Sequence, residues 1–496
     1  MAEKPLNQLL SAAGLAGAEA QTVSGVSIDS RDVTPGGLFM ALAGARAHGL
    51  DYLQSALDGG ARVVLWEPAE SISESHVDEQ CRRTGARAIR VPGLRRLAGE
   101  IAAAFYDDPG RGLAPIAVTG TDGKTSVTCY AAQLLEAANG PTAVIGTLGW
   151  GRPTALAEAG LTTPDAVTLQ RQLAELRRSG FQRVVMEASS HALDQYRLDA
   201  AAIETAVLTH VGRDHLDYHG SQAAYRQAKA RLFGLPTLRR RVLNLDDSTG
   251  RRLARMTDAP GVCLTYGSDA EADLRLLDVV ARPDGLSCRI QGRQAAFDVD
   301  LPLLGRFNAM NVLAALAAVA GADIDASWRD ALSRLEPVPG RMERFVAADG
   351  PLVVVDYAHT PGALAGALQT LAEHTTGRLI CVFGCGGDRD PGKRPLMGTV
   401  AARFADRLVL TNDNPRTESP QAIVAGIREG VPADKPCRVM LDRAEAIASA
   451  LEEASRDDVV LVAGKGHESI QQVGDQALPF SDRDEVRRRL TGRACA

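Results

Sequence analysis

The segment Thr119–Ser126 has residue types and spacing that predict chemistry more clearly than any other part of this 496-residue sequence. It reads Thr-Gly-Thr-Asp-Gly-Lys-Thr-Ser, follows the β-branched run Ile116–Val118 and opens an alanine-rich helical pattern. The backbone N–H groups of such a turn, together with the start of the helix, form a concave site for phosphate oxygens. Lys124 can reach the outer phosphates, and the Thr125 hydroxyl can ligate Mg²⁺. The segment therefore predicts a phosphate loop for a nucleoside triphosphate, and we expect ATP.

This phosphate-loop pattern is incomplete, because Val118 stands where the full GxxxxGK[ST] pattern has its first glycine. Glycine-lysine pairs are common by chance, so the alternative is an ordinary turn with a solvated lysine. The strand pattern before the turn and the helix pattern after it favour the nucleotide site.

Acidic and histidine side chains follow two other predicted strands. Glu187 ends the apolar run Arg183–Glu187, and a carboxylate at a strand end beside a phosphate loop commonly holds Mg²⁺. The segment Thr209–His219 places three histidines within ten residues, next to aspartates. A lone histidine is usually structural, but this grouping predicts a site.

A lysine-bearing helix is predicted next along the chain. Ser221 can cap it, and Tyr225, Lys229 and Phe233 recur at a spacing of four residues, which places them on one face. A lysine on a half-apolar face usually extends its ammonium to water, so the residues alone predict an exposed Lys229 ammonium.

The last part of the chain repeats one pattern, an apolar strand that ends in a glycine-rich or charged cluster. Open α/β sheets bind ligands beyond the carboxyl ends of their strands, so the clusters predict one pocket. The strand runs are Val353–Asp356, Leu379–Phe383, Leu408–Thr411 and Val459–Ala463. The clusters that follow them lie at 356–361, 384–390, 412–416 and 464–468.

Strands alternate with helices over most of the chain, which predicts an α/β protein with mostly parallel sheets. We expect three domains, at 1–90, 91–338 and 339–496, with the Pro-Val-Pro-Gly joint at 337–340 marking the second boundary. The run 262–304 has several short strand candidates. Further predicted strands are Gly25–Asp29, Gly37–Leu42, Arg62–Trp66, Pro115–Thr119, Thr142–Ile145, Thr205–Thr209 and Arg241–Leu245, and a helix is predicted at Leu94–Phe105.

Composition excludes several classes of protein. A formal charge of −6 and 4% aromatic residues argue against nucleic acid as the main partner. No apolar run approaches the ~20 residues that cross a bilayer, and the first residues lack the pattern of a signal peptide. The cysteines form no CxxC pair, and Cys129, Cys288 and Cys381 have the apolar neighbours of core residues. We expect a cytoplasmic protein without a membrane partner.

Taken together, these motifs resemble those of the Mur ligases, which add amino acids to the cytoplasmic precursor of peptidoglycan. The similarity extends over essentially the whole chain, and several motifs match the member that adds diaminopimelate. The matching segments are 119–126, 186–197, 210–220, 225–229, 305–311, 339–343, 355–361, 384–390, 413–416 and 464–468.

The resemblance implies a uridine-nucleotide domain, a central ATPase domain and a C-terminal Rossmann-like domain. It also implies that Lys229 is carbamylated by CO₂, which would convert a cation into an anionic oxygen ligand of the type that Mg²⁺ prefers. The implied metal and catalytic residues are Lys124, Thr125, Glu187, His215 and Lys229. The implied ATP-binding residues are Gly120, Thr121, Asp122, Gly123, Lys124, Thr125, Ser126, Asn308, Arg341 and Asp356.

Two further sets of residues match the positions that bind the other substrates in this family. Those for the UDP-MurNAc-dipeptide are Ile28, Ser30, Ala45, Arg46, Ala47, Thr162, Thr163, Ser189, Gln195 and Arg197. Those for diaminopimelate are Arg389, Asp413, Asn414, Pro415, Arg416, Gly464 and Glu468. Arg416 would read the second carboxylate of diaminopimelate, which lysine lacks, through two parallel hydrogen bonds.

The implied reaction joins meso-diaminopimelate to UDP-MurNAc-L-Ala-D-Glu with ATP and Mg²⁺, through an acyl phosphate, in a monomeric enzyme. Two alternative enzymes are a related ligase that uses lysine and a folylpolyglutamate synthetase that shares the ATPase core. A third alternative is a non-catalytic, nucleotide-gated binding protein. The Asp-Asn-Pro-Arg motif and the N-terminal domain argue against the folate enzyme, and the complete set of metal residues argues against the binding protein.

Overall fold

The computed structural model describes residues 3–16, 21–44, 47–158, 160–346 and 350–493 and divides into two units. The first unit holds residues 1–273 and 314–321, and the second holds residues 274–313 and 322–496. Each unit contains a mainly parallel sheet whose central strands are buried, as expected when helices cover both faces of a sheet.

The first unit begins with a small α/β layer. Its four parallel strands are Val26–Ser27, Leu38–Ala41, Val63–Trp66 and Arg87–Arg90. Its helices are Leu6–Ala12, Leu53–Asp58, Glu74–Arg83 and Leu94–Phe105, with short 3₁₀ turns at Ser30–Asp32 and Gly49–Tyr52. A two-stranded ribbon pairs Lys4–Pro5 with Thr22–Val23. Leu6, Leu9, Leu94 and Ile101 have no exposed area in the core between the helices and the sheet.

The larger sheet of the first unit positions the phosphate loop. In spatial order its strands are Ala155–Ala157, Gly149–Arg152, Thr142–Gly146, Arg183–Glu187, Ile116–Thr119, Thr205–Leu208, Arg240–Asn244 and Val262–Gly267. The last six are parallel, so their carboxyl ends lie at one edge. The helices are Lys124–Asn139, Ala166–Arg178, Ser190–Asp194, Leu216–His219, Gln222–Ala230 and Ser248–Ala254, with 3₁₀ turns at Pro109–Gly112 and Arg231–Gly234.

The second unit contains an antiparallel segment and a six-stranded sheet. The segment is formed by Leu274–Arg282, Gly285–Gln291 and Ala296–Leu301. The sheet order is Glu343–Val346, Leu352–Asp356, Val459–Ala463, Leu379–Phe383, Arg407–Leu410 and Cys437–Val439, in which only the first strand is antiparallel among the described residues. A hairpin pairs Ile470–Val473 with Gln476–Pro479. The helices are Arg329–Ser333, Pro361–Ala372, Lys393–Phe404, Pro420–Arg428, Arg443–Glu453 and Asp482–Arg493, with a 3₁₀ turn at Ala326–Trp328. The helix Arg306–Ala320 spans residues of both units.

The predicted α/β class, the strands named above and the helix Leu94–Phe105 are confirmed, with ends that move by one or two residues. Several strands were not predicted, among them Arg87–Arg90 and Cys437–Val439. Both lie at sheet edges and keep partly exposed residues, so they lack the continuous apolar run of a central strand. Within the described residues, no helix is both long enough and apolar enough to cross a membrane.

Candidate functional site

The phosphate loop curls around its own lysine. The Lys124 ammonium donates to the carbonyl oxygens of Gly120, at 3.0 Å, and of Thr121, at 2.9 Å. Gly120 has a φ of 155°, and a Cβ built there would lie 1.8 Å from the Thr209 hydroxyl oxygen. Only glycine therefore fits at this point of the turn, between the strand Ile116–Thr119 and the helix that begins at Lys124.

Neighbouring segments hold the phosphate loop in place. The Thr121 amide donates to the His210 carbonyl at 2.5 Å, and the Thr121 hydroxyl lies 2.9 Å from the Tyr225 hydroxyl. The Gly212 amide donates to the Thr121 hydroxyl at 2.9 Å. Three separate contacts therefore fix the orientation of Thr121.

Glu187 lies at the end of its strand with its carboxylate beside the phosphate loop. The side chain is 2% exposed and accepts hydrogen bonds from the Thr125 hydroxyl, at 3.0 Å, and from the Thr147 amide, at 2.8 Å. A Cβ at Gly146 would lie 2.4 Å from the carboxylate, so glycine makes room for it. The pairing of a hydroxyl with a buried carboxylate suits Mg²⁺, which prefers oxygen ligands. Thr147 was not predicted, although it follows a strand end.

Lys229 is 1% exposed, so the prediction that its ammonium reaches water is wrong. The Nζ atom donates to the Gly120 carbonyl oxygen at 2.6 Å and lies 4.6 Å from the centre of the Tyr225 ring. Two lysines, Lys124 and Lys229, therefore share one carbonyl oxygen. Burial lowers the pKa of Lys229 to about 6, and the nearby Lys124 cation acts in the same direction.

His215 belongs to a cluster of rings on the first unit. Its ring centre lies 4.8 Å from that of His191, which in turn lies 4.2 Å from the Tyr218 ring and 5.5 Å from the His219 ring. Burial lowers the pKa of His191, and the neighbouring imidazoles add to the effect. A cleft of about 530 Å³ beside the cluster is lined by Tyr218, His219 and Arg231, among others.

The histidines do not form a classical metal centre. No group of three or more His, Cys, Asp or Glu side chains suited to hold a metal ion occurs in the described part of the chain. Thr125 and Glu187 offer oxygen ligands, whereas Lys229 is no ligand for Mg²⁺ as an amine and becomes one only as a carbamate. As an amine, Lys229 therefore adds nothing to the oxygen ligands that Thr125 and Glu187 offer.

The residues matched to the dipeptide substrate form a connected network beside Glu187. The Thr163 hydroxyl donates to the Glu187 carbonyl at 2.8 Å and accepts from the Ser189 amide at 3.1 Å. Arg197 donates to the Thr163 carbonyl at 2.9 Å and to the Gln195 side-chain oxygen at 2.6 Å. The Thr162 hydroxyl lies 3.1 Å from that of Thr147.

The residues matched to the uridine nucleotide lie in the small α/β layer. Ile28 packs against the core of that layer, and Ser30 is buried. The Ala47 carbonyl accepts from the Gly44 amide at 3.0 Å. Ala45 and Arg46, which were also predicted, lie outside the described residues.

Two of the three residues matched to the nucleotide on the second unit, Arg341 and Asp356, lie at the end of the strand Leu352–Asp356. The Asp356 carboxylate accepts from the amides of Met342, at 2.8 Å, and Ala358, at 2.9 Å, and burial raises its pKa. The Arg341 guanidinium lies 4.6 Å from the centre of the Tyr357 ring. The buried Asn308 amide donates to the Leu304 carbonyl at 2.8 Å.

The residues matched to diaminopimelate converge where three neighbouring parallel strands end. Arg416 has a φ of 51° and donates to the Gly387 carbonyl at 2.6 Å, which joins the segments 413–416 and 384–390. The Asn414 side-chain amide donates to Glu468 at 2.9 Å. A Cβ at Gly464 would lie 2.5 Å from the Asp413 carboxylate. Pro415 is buried and Arg389 is exposed. Lys465, to which the sequence had given no role, lies among them and is 0% exposed.

Comparisons with known proteins place this geometry in a family. Three family models match in turn: "Mur ligase family, catalytic domain" at 22–106, "Mur ligase middle domain" at 118–319 and "Mur ligase, glutamate ligase domain" at 340–466.

Two relatives carry the name UDP-N-acetylmuramoyl-L-alanyl-D-glutamate–2,6-diaminopimelate ligase. The protein from Alkalilimnicola ehrlichii is 51% identical over 479 residues, with 95% of each chain covered. That from Coxiella burnetii is 42% identical over 494 residues, with 98% of this chain and 99% of its own covered. A solved structure of the same name is 36% identical, has a TM-score of 0.74 and covers 99% of this chain and 100% of its own.

Proposed function

The chain belongs to the Mur ligase family, and we propose that it uses ATP to join meso-diaminopimelate to the D-glutamate of UDP-MurNAc-L-Ala-D-Glu. One observation carries the proposal: the phosphate loop, Glu187 and a buried Lys229 meet in one site, in a chain that is 51% identical to a named ligase over 95% of its length. The relatives' names supply the two substrates, and the phosphate loop supports ATP as the third.

The phosphate loop would hold ATP from the first unit, through the residues Gly120 to Ser126. Lys124 donates to two carbonyls of its own loop, and phosphate oxygens would replace these acceptors when ATP binds. Thr125, Glu187, His215 and the carbamate of Lys229 would hold Mg²⁺, which neutralises charge that develops on the phosphates. Asn308, Arg341 and Asp356 are the proposed nucleotide contacts of the second unit, with the Asp356 carboxylate suited to ribose hydroxyls.

The proposed reaction has two steps. The γ-carboxylate of D-glutamate attacks the γ-phosphorus of ATP, which gives an acyl phosphate and releases ADP. The amine of diaminopimelate then attacks the acyl carbon, the amide bond forms and phosphate leaves. Lys124 balances the charge on the transferred phosphoryl group, and Thr163, Ser189, Gln195 and Arg197 position the dipeptide next to Glu187.

Lys229 is the proposed site of carbamylation. A neutral amine is the form that attacks CO₂: the N–C bond forms and one proton leaves. Burial beside Lys124 disfavours the ammonium and therefore supports this step. We expect Lys229→Ala to be nearly inactive and to recover partly with acetate or formate, which supply the missing carboxylate. Full wild-type activity in buffer depleted of CO₂ would contradict a required carbamate.

Arg416 is the proposed reader of the second carboxylate of diaminopimelate. Arg389, Asp413, Asn414, Pro415, Gly464 and Glu468 would complete the amino-acid pocket, with Glu468 holding the distal ammonium. We further propose three functional regions, 1–90 for the uridine nucleotide, 91–338 for ATP and 339–496 for the amino acid, in a monomer that works in the cytoplasm.

The test is an assay with purified protein, ATP, Mg²⁺ and UDP-MurNAc-L-Ala-D-Glu, to which diaminopimelate or lysine is added. Phosphate release and the mass of the product are measured in each case. We expect release and an amide product with diaminopimelate, and at most slow release with lysine. Turnover with lysine at a similar rate, or with a folate substrate and glutamate in place of the uridine nucleotide, would reject this assignment.

A further inference from the structure

We propose that Lys465 is a positioning residue that determines amino-acid specificity: it neutralises Glu468 in advance, so that a bare ammonium group gains little there and a zwitterionic amino-carboxylate is preferred. The inference rests on the proposed diaminopimelate pocket and deepens it. It starts from an uncommon feature: the side chain of Lys465 is 0% exposed, whereas lysine is almost never fully buried in proteins.

The local backbone turns Lys465 inward. Its neighbours Gly464 and Gly466 have φ values of 117° and 54°, a region that favours glycine. A Cβ at Gly466 would lie 2.8 Å from both the Gly340 carbonyl oxygen and the Tyr357 Cβ. The turn is therefore specified by two glycines, and the lysine between them is directed into the protein at the end of the strand Val459–Ala463.

The buried ammonium uses all three of its hydrogens. Nζ donates to Ile470 O at 2.6 Å, to Glu468 Oε2 at 2.9 Å and to Asn414 Oδ1 at 3.1 Å. The same Glu468 oxygen accepts from Asn414 Nδ2 at 2.9 Å, and Asn414 Oδ1 accepts from the Gln472 amide at 2.9 Å. Lys465 therefore fixes one oxygen of Glu468 and the orientation of the Asn414 amide together.

This arrangement has an electrostatic consequence for the incoming amino acid. Glu468, whose side chain is 28% exposed, meets the substrate already paired with the fully buried Lys465 ammonium, 2.9 Å away. Lysine brings one more positive charge to this pair, whereas the distal end of diaminopimelate brings an ammonium and a carboxylate with no net charge. Since the buried Lys465 ammonium is screened little by water, it repels the ammonium of lysine, whereas Arg416 attracts the carboxylate of diaminopimelate.

The first experiment compares Lys465→Met and Lys465→Arg with wild type, and with Lys435→Met as a matched control on the partly exposed surface of the same unit. We measure kcat and KM for diaminopimelate, for lysine and for ATP. Lys465→Met should lower the ratio of kcat/KM for diaminopimelate to that for lysine at least tenfold, with the KM for ATP within twofold of wild type. Lys465→Arg, which keeps the charge, and the control should keep the ratio.

The ratio separates specificity from folding, because a smaller folded fraction lowers activity with both amino acids equally. If Lys465→Met kept the wild-type ratio of kcat/KM for diaminopimelate to that for lysine, the inference would be overturned. The proposed function would still stand, provided that the wild type turns over diaminopimelate. Wild type that does not use diaminopimelate would instead reject that function.

A second experiment uses the wild-type enzyme alone and tests the same inference if the Lys465 variants do not fold. Lysine, norleucine and 2-aminopimelate compete with diaminopimelate on the wild-type enzyme. They differ at the distal end, which is cationic, neutral and anionic respectively. We expect 2-aminopimelate to inhibit best and lysine no better than norleucine. Lysine inhibiting more strongly than norleucine would show that Glu468 still attracts a bare ammonium and would overturn the inference.

Discussion

The carbonyl oxygen of Gly120 accepts hydrogen bonds from two lysine side chains, and one of them is almost completely buried. Neither feature can be read from the sequence, because Lys229 lies more than a hundred residues from Gly120 along the chain. Helical spacing placed Lys229 correctly on the face of Tyr225, but only the tertiary fold decides whether that face meets water. Lys465 escaped prediction for a related reason, since a lysine in a glycine-rich turn normally indicates a solvated side chain.

Buried Lys229 should make stability depend on pH when CO₂ is absent. Its pKa is about 6 in the folded protein, below the ordinary value of 10.5, so the unfolded chain binds the extra proton between these two values. Stability contributed by this group therefore rises with pH across that window, by up to about 1.4 kcal/mol per pH unit. Lys229→Met removes the effect, and its stability advantage over wild type should be largest at and below pH 6.

Urea unfolding of both proteins in CO₂-depleted buffer, from pH 6 to pH 9, measures that difference. Titrations of all other groups cancel in the comparison to first order. A difference that stays constant over this range would mean that Lys229 keeps its proton in the folded state.

Arg416 gives a second prediction at this scale. Arg416→Ala should raise the KM for diaminopimelate by about 30-fold to several-thousand-fold, the range expected when a buried charge-assisted pair worth ~2–5 kcal/mol loses one partner. Affinities for ATP and UDP-MurNAc-L-Ala-D-Glu should stay within about twofold, because the proposed contacts of Arg416 are with the amino acid alone. Steady-state kinetics and calorimetric titration measure these effects. Arg438→Ala, on an edge strand, is the control, and a variant with weakened ATP binding instead would remove Arg416 from the role of selector.

Strands of the sheet bring the residues of the amino-acid pocket together, and the sequence predicted this arrangement better than it predicted the burial of single side chains. Each of four apolar runs ended in a polar cluster, and parallel pairing places those ends at one edge of the sheet. What the pattern could not supply is how the strand ends are held. Arg443 does this: its guanidinium donates to the carbonyls of Asn412 and Ala463, both at 2.9 Å, and to both oxygens of Asp482 at 2.7 Å.

The Arg443–Asp482 pair has no exposed area, so breaking it should be costly. Asp482→Ala leaves a buried cation without its partner, and we expect the free energy of unfolding to fall by about 3–5 kcal/mol. The double variant Arg443→Met with Asp482→Leu should recover part of this loss, because no buried charge remains. Urea unfolding provides the measurement. Asp484→Ala, which breaks an exposed pair with Arg487, should change stability by less than about 1 kcal/mol, and an equal loss in both single variants would contradict this account.

At the scale of the whole molecule, the sites predicted for the three substrates are distributed along the chain. The uridine-nucleotide residues lie in the small α/β layer, the phosphate loop in the larger sheet of the same unit, and the amino-acid pocket in the second unit. The predicted order of these regions rests on motifs that follow strand patterns in the sequence. Ala45 and Arg46 were matched through a loop instead, and they lie outside the described residues.

Because the predicted sites are separate, we expect that a substitution can abolish the reaction of one substrate without weakening the binding of another. Lys124→Ala should abolish phosphate release, because the phosphoryl charge is no longer balanced, while UDP-MurNAc-L-Ala-D-Glu still binds with an affinity within about threefold of wild type. Isothermal titration with the uridine nucleotide and a phosphate-release assay test both halves. Lys435→Ala serves as the control. Near-normal turnover in Lys124→Ala would reject the phosphate loop, and parallel loss of nucleotide-sugar binding would show that the two sites are coupled.

Backbone hydrogen bonds join the hairpin formed by Ile470–Val473 and Gln476–Pro479 to the amino-acid pocket. The Arg416 amide donates to the Gln472 carbonyl at 3.1 Å, the Gly474 amide donates to the Arg416 carbonyl at 2.7 Å, and the Gln472 amide reaches Asn414. These amides can exchange with deuterium only when the hairpin and the Asp-Asn-Pro-Arg segment separate. The amides of Arg416, Gln472 and Gly474 should therefore exchange at one common rate, set by a single opening event. A protease that cleaves the tip of the hairpin should speed exchange at the Arg416 amide and leave exchange in the phosphate loop unchanged.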